Sequence, residues 1–173
     1  MAASEYLAFL PLLIYGIALA DLFSEWKRLF NPKGLFIPYS LFTIILTEIA
    51  VYNVFVFAEL LSELDGITYY NYLSYLLPPF IFLLTVNIYT PEKDTDTKTY
   101  FIKQMPVFFT LMALFSASHF LYDFSENTGT LIIRLVSIAM FAITGFSRKV
   151  WMTYALAVVW LILLIFRIGI IST

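Results

Sequence analysis

Glu48 stands in SLFTIILTEIAVYNVFVF, residues 40–57, a run otherwise free of charge. A charged side chain at the centre of a membrane helix costs about 2.5–3.5 kcal/mol on insertion scales, so it implies a partner or a task. Tyr52, one turn on, is placed to hydrogen-bond it. No basic residue lies at matching depth, because Arg134 and Arg167 both map to the outer third of their segments. Two chemistries fit the position. One is a proton- or cation-responsive site inside a helix bundle; the other is a neutral Glu that fixes helix register through an interhelical hydrogen bond. Ser40, Thr43, Thr47 and Ala58 give the same helix a small, weakly polar face suited to close packing.

Three further groups of residues could carry chemistry. Asp21 lies one turn before Glu25 and two before Arg28. It fits a salt network at the inner interface or, with Asn87, the lining of a cytoplasmic vestibule. Gly16 and Ala20 nearby have the small-xxx-small spacing of a tight helix contact. His119 and Asp123 are one turn apart, with Ser116 on the same face. A Ser-His-Asp triad needs side chains that converge, usually from separate elements, whereas residues of one helix face project side by side. The expectation is therefore a His–Asp contact at the outer interface, with Arg134 or Arg167 snorkelling nearby. Pro78 and Pro79, in YLLPPFIFLLTVN, remove two backbone donors near the middle of a segment and predict a kink. Carbonyls freed there serve a cation if they face a cavity, and are otherwise only part of the bend.

Several function classes drop out. The chain has no Cys and a single His, which excludes thiolate metal sites, disulfides and bis-His haem ligation. No phosphate loop, dinucleotide fingerprint or paired-Cys site is present. No catalytic residue, metal or cofactor is expected, and the chain is not expected to be an enzyme. A net charge of −2 without a basic patch argues against a nucleic-acid partner.

The elements that must position these residues follow from composition. Hydrophobic residues are 61% of 173 and charged residues 13%, with a mean hydropathy of +0.87. Soluble domains carry about 25% charged residues, so the chain reads as an integral membrane protein. Six apolar segments qualify by the ~20 residues needed to cross a bilayer: about 5–24, 35–57, 70–89, 103–122, 130–147 and 150–170, in a single transmembrane domain over residues 1–173. The expected fold is an all-α, polytopic bundle of six transmembrane helices. The N-terminal segment lacks the basic n-region of a signal peptide and is expected to remain as the first helix.

Eight of the ten Lys and Arg residues fall in the separators after segments 1, 3 and 5 or at their edges: Lys27, Arg28, Lys33, Lys93, Lys98, Lys103, Arg148 and Lys149. The positive-inside rule makes those separators cytoplasmic and, with six crossings, places both termini on the non-cytoplasmic side. Trp26, Tyr69, Tyr70, Tyr72, Tyr89, Tyr100, Tyr122 and Trp151 read as interfacial belts. SLFTIILTEIAVY can be laid on RLVSIAMFAITGF as a weak internal repeat, but so narrow an alphabet matches itself easily.

The chain resembles a widespread group of small six-helix integral membrane proteins of bacteria, most of them uncharacterised. The resemblance lies in IYGIALADLFSEWKRLF with its exit at Trp26-Lys27-Arg28, an aromatic-rich second segment, a third ending in TVNIYTPE, and the passage into TYFIKQMPVFF. It covers the first two thirds of the chain, is one of pattern, and implies the six-helix layout and a bacterial cytoplasmic membrane, but no activity. The leading expectation is a small transporter or channel-like protein with Glu48 at its centre, Asp21 and Asn87 lining the inner approach, and His119 with Asp123 the outer one. The alternative is a non-catalytic subunit or scaffold whose apolar flanks meet lipid, a membrane-protein partner or a second copy of itself.

Overall fold

Long apolar runs leave the backbone one way to satisfy itself, which is to form helices. The computed structural model describes residues 3–31, 35–59, 64, 66–92, 95–121 and 128–171, without the side chains of 3–5, 58–59, 128, 130 and 166–171. Among these residues there are six long helices and no strand: α1 (Ala3–Leu29), α2 (Ile37–Glu59), α3 (Tyr69–Tyr89), α4 (Thr97–Ser118), α5 (Thr128–Ser147) and α6 (Val150–Ile171). A 3-10 turn, His119–Leu121, extends α4. Thr68 caps α3 by accepting the Asn71 N–H, and Asp96 caps α4 by accepting the Thr99 N–H at 2.8 Å. Each cap answers one of the amides that a helix start leaves without a partner.

Neighbour contacts order the helices around the bundle as α1, α2, α6, α5, α4, α3 and back to α1. Packing is most extensive between α4 and its neighbours α5 and α3, and sparsest where α6 closes the ring against α2 and α5. The centre is aromatic. Phe42 of α2 meets Phe101, Phe108 and Phe109 of α4, while Tyr15, Phe82 and Phe115 bring α1, α3 and α4 together. Hydroxyls within the bundle bond carbonyls of their own helices: Thr43 to Tyr39, Thr47 to Thr43, Thr85 to Ile81 and Thr144 to Met140. Such back-bonding lets a polar side chain sit in an apolar bundle at little cost. Gly145 allows a close approach of α5 to α4, since a Cβ there would lie 3.0 Å from the Phe109 Cβ.

Several expectations need correction. Six helices form, but among the described residues only four are long and apolar enough to cross a membrane: Tyr6–Leu29, Ile37–Phe57, Tyr69–Tyr89 and Thr97–Leu121. The described apolar stretches of α5 and α6, Leu131–Ser147 and Val150–Ile165, do not exceed 17 residues. The six-span bundle therefore gives way to a six-helix bundle with four candidate spans, and the outward placement of both termini, which counted six crossings, loses its basis. Gly16 and Ala20 are exposed, with open space where a Gly16 Cβ would point, so the tight contact falls elsewhere, at Gly145. Tyr89 is not a belt residue: it is 2% exposed and stacks on Tyr39, ring centroids 4.4 Å apart. Helix α4 begins six residues before the expected 103, because Asp96 starts it.

Candidate functional site

The described helices enclose a partly open cavity of about 280 Å³. Its walls come from α2, α4, α5 and α6, where the ring closes least tightly. Helix α2 contributes Tyr52 and Asn53; α4 and the turn after it contribute Ser116 and His119; α5 contributes Arg134 and Ser137; α6 contributes Trp160. The rest of the lining is apolar, including Phe115, Phe141 and Leu163. A narrower void of about 20 Å³ lies next to it among α2, α5 and α6. The two share Ser137, Phe141, Trp160 and Leu163.

Asn53 and His119 are each held by a carbonyl of their own segment. The Asn53 amide donates to the Ile49 carbonyl one turn back at 2.8 Å, which turns its Oδ1 toward His119 at 3.3 Å. His119 Nδ1 meets the Phe115 carbonyl at 2.8 Å, and its ring stands edge-on to Phe115. The Arg134 guanidinium lies 5.5 Å from the centroid of the Phe120 ring, a cation–π arrangement. The Trp160 Nε1 is buried and has no hydrogen-bond acceptor among the described residues. Among the described lining residues none is acidic. The cavity thus combines apolar walls with convergent donors, the usual make-up of a small-molecule site.

A second polar cluster sits at the other end of the bundle. Glu25 of α1 is 3% exposed. Its Oε2 lies 2.5 Å from Arg28 Nε and accepts the Tyr39 hydroxyl at 2.8 Å. The Tyr89 hydroxyl joins α3 to this group through the Tyr39 carbonyl and through Thr43, the latter at 2.6 Å. Arg28 also donates to Thr97 and to the Glu92 carbonyl, which ties the end of α1 to the α3–α4 connection. The Trp26 indole adds a bond to Thr47 at 3.3 Å. This cluster has no described cavity around it, and its evident work is to clamp α1, α2, α3 and the start of α4 together.

The sequence candidates separate accordingly. Tyr52 and His119 line the cavity. Glu48 does not: it is half-buried on the stripe of α2 that carries exposed Ile44, Val51 and Phe55, one turn before Tyr52. Asp21 and Asn87 lie toward the opposite end of the bundle, Asn87 exposed, and neither lines a described cavity. The salt network expected near Asp21 forms four residues later, at Glu25 and Arg28. Pro78 and Pro79 are buried inside α3, which contributes nothing to the cavity lining. Asp123 lies outside the described residues. Asn53 and Trp160 escaped sequence reasoning, although an amide inside an apolar span was a signal available in EIAVYNVFVF. Comparison with family models, curated proteins and solved structures gives no match.

Proposed function

We propose that this multi-pass membrane protein is a small carrier of the bacterial cytoplasmic membrane, with the cavity bounded by α2, α4, α5 and α6 as its binding site. One observation supports the reading above the others: a cavity of small-ligand size holds His119, Asn53 and Arg134 together on apolar walls. Such a cavity buries a ligand's apolar part and orients its polar part, which recognition requires. The site lies beside the sparsest helix contacts, those of α6, and a carrier must open somewhere. Glu48 is not part of the site's lining. The basic ends of the helices face the cytoplasm on this reading.

Reconstitution in liposomes tests it. Uptake of a transported solute should be lost on filling the cavity with Ser137→Phe and retained by Glu48→Gln, which keeps size and hydrogen bonding but cannot ionise. Absence of flux across a solute panel, together with a second protein chain that copurifies stoichiometrically, would install the subunit reading instead.

A further inference from the structure

Resting on the reading of the cavity as a binding site, we propose that its ligand is a compact, membrane-soluble molecule of about one ring that carries a hydrogen-bond acceptor. It enters from the bilayer between α2 and α6 and meets the Trp160 indole N–H. The first support is size. The cavity measures about 280 Å³, whereas an apolar cavity of ~150 Å³ already holds benzene. One substituted ring fits; the two chains of a phospholipid do not. The lining is chiefly aliphatic and aromatic, with Ile49, Met112, Phe115, Phe141 and Leu163 drawn from all four helices.

The second support is how α6 is held. Helices α1 to α4 are joined by the Glu25 cluster, and Gly145 seats α5 closely on α4. At the start of α6, Met152 meets the Ser147 hydroxyl, and Thr153 bonds the Val150 carbonyl of its own helix. Among the described residues of α6 beyond Thr153, no side chain is charged or makes a hydrogen bond or ring contact. Its packing on α2 and α5 is the sparsest around the ring, and the void of about 20 Å³ marks incomplete closure there. Helix α6 can therefore pivot at the turn from α5 without breaking a described polar contact, and lipid replaces the apolar contacts it gives up. Trp160 is the third support. It lines both the cavity and the void, and its buried N–H has no acceptor among the described residues. A buried donor without a partner is unfavourable, and a ligand acceptor beside it removes that penalty. Because the N–H is covered as α6 now lies, the ligand reaches it only as α6 yields.

Fluorine NMR of protein labelled with 5-fluorotryptophan, in nanodiscs, tests the ligand and the route, because the only indoles are Trp26, Trp151 and Trp160. Trp151 is 63% exposed and reports the bulk bilayer. The probes are acetophenone and ethylbenzene, alike in shape, of which only the ketone accepts a hydrogen bond. They are compared at equal mole fraction in the lipid. Expected is a saturable shift at Trp160 and an unsaturable one at Trp151, with the ketone binding about tenfold more tightly than the hydrocarbon. Trp160→Phe should erase that preference, so that both probes raise the melting temperature equally. Should that variant not fold, the two probes on unaltered protein decide the ligand class alone. For the route, the natural absence of Cys lets Ile45→Cys on α2 and Val159→Cys on α6, both lining the void, be bridged by a short bis-maleimide. The bridge should slow ketone binding about tenfold or more, relative to the same variant capped with N-ethylmaleimide, as a moving wall requires. Equal affinity for ketone and hydrocarbon, unsaturable shifts at both indoles, or unslowed binding after bridging would overturn the proposal. So would failure of the two cysteines to bridge, which denies the α2–α6 packing on which the route rests. Saturable ketone binding without flux in liposomes would remove the carrier reading and leave the site standing. Flux of a hydrophilic solute without ketone binding would do the reverse.

Discussion

Glu25 is buried because α2 lays Tyr39 over that particular turn of α1, and Asp21, one turn earlier, is only half-buried. Both acids are equally visible in ALADLFSEWKR. Nothing local says which turn a neighbouring helix will cover. Removing one member of a buried ion pair leaves the other's charge uncompensated. Glu25→Leu should therefore destabilise the protein, by about 2–3 kcal/mol, below the ~3–5 kcal/mol of a fully buried pair because the Arg28 side chain is 21% exposed. Thermal unfolding in detergent checks the direction and Arg28→Leu should compensate in part. Tyr89→Phe removes the hydroxyl that reaches the Tyr39 carbonyl and Thr43 while keeping the stacked ring. A loss of about 1 kcal/mol is expected, because Thr43 retains its own bond to the Tyr39 carbonyl. An unchanged melting temperature would show that this hydroxyl contributes nothing net.

Helix α4 owes its early start to Asp96, in a stretch, TPEKDTDTKTY, whose polarity reads as loop. An Asp three residues before an amide it can accept is a start signal that hydropathy alone overlooks. The hydrogen bond from Thr99, aided by Lys98, holds the Asp96 carboxyl below its ordinary value of 3.8. The cap is therefore at full strength above pH 3.8 and is lost as pH falls through the lowered value. Amide exchange at Thr99 should quicken on acidification in the wild type. In Asp96→Asn, whose side-chain oxygen caps without ionising, exchange should show no such step beyond its intrinsic pH dependence. Packing of α5 on α4 depends on Gly145. Gly145→Val overfills that contact and should cost about 1–3 kcal/mol, visible as a lower melting temperature. A neutral outcome would mean that α5 can move off α4 freely.

Across the whole molecule, antiparallel packing gathers several of the described basic residues at one end. Arg28 reaches Thr97 at the start of α4, and Gly145, near the end of α5, sits against Met105 and Pro106. Lys98, Lys103, Arg148 and Lys149 therefore share an end, although only four helices qualify as spans. The natural absence of Cys makes labelling clean. A cysteine at Lys98 or at Lys149 should react only from the cytoplasmic side, and one at exposed Tyr70 only from the other. Opposite labelling of Lys98→Cys and Lys149→Cys would contradict this antiparallel order.

Membrane character, helical class and the number of helical segments were written in the sequence, because apolar run length and charge content are properties of the chain read in one dimension. The charge asymmetry between separators was legible for the same reason. Which polar residues meet was not. Asn53, His119 and Arg134 come from three helices, and Tyr52 joins the cavity while Glu48, four residues away on the same helix, does not. In a soluble bundle the apolar stripe announces the inward face; here lipid is as apolar as the core, so sequence periodicity hardly separates the two. Exposed Ile44, Val51 and Phe55 and buried Phe42, Leu46 and Ile49 are the same kind of residue on opposite sides of α2. Only the rotation and order of the packed helices decided which faces turned inward, and with them where the cavity lies.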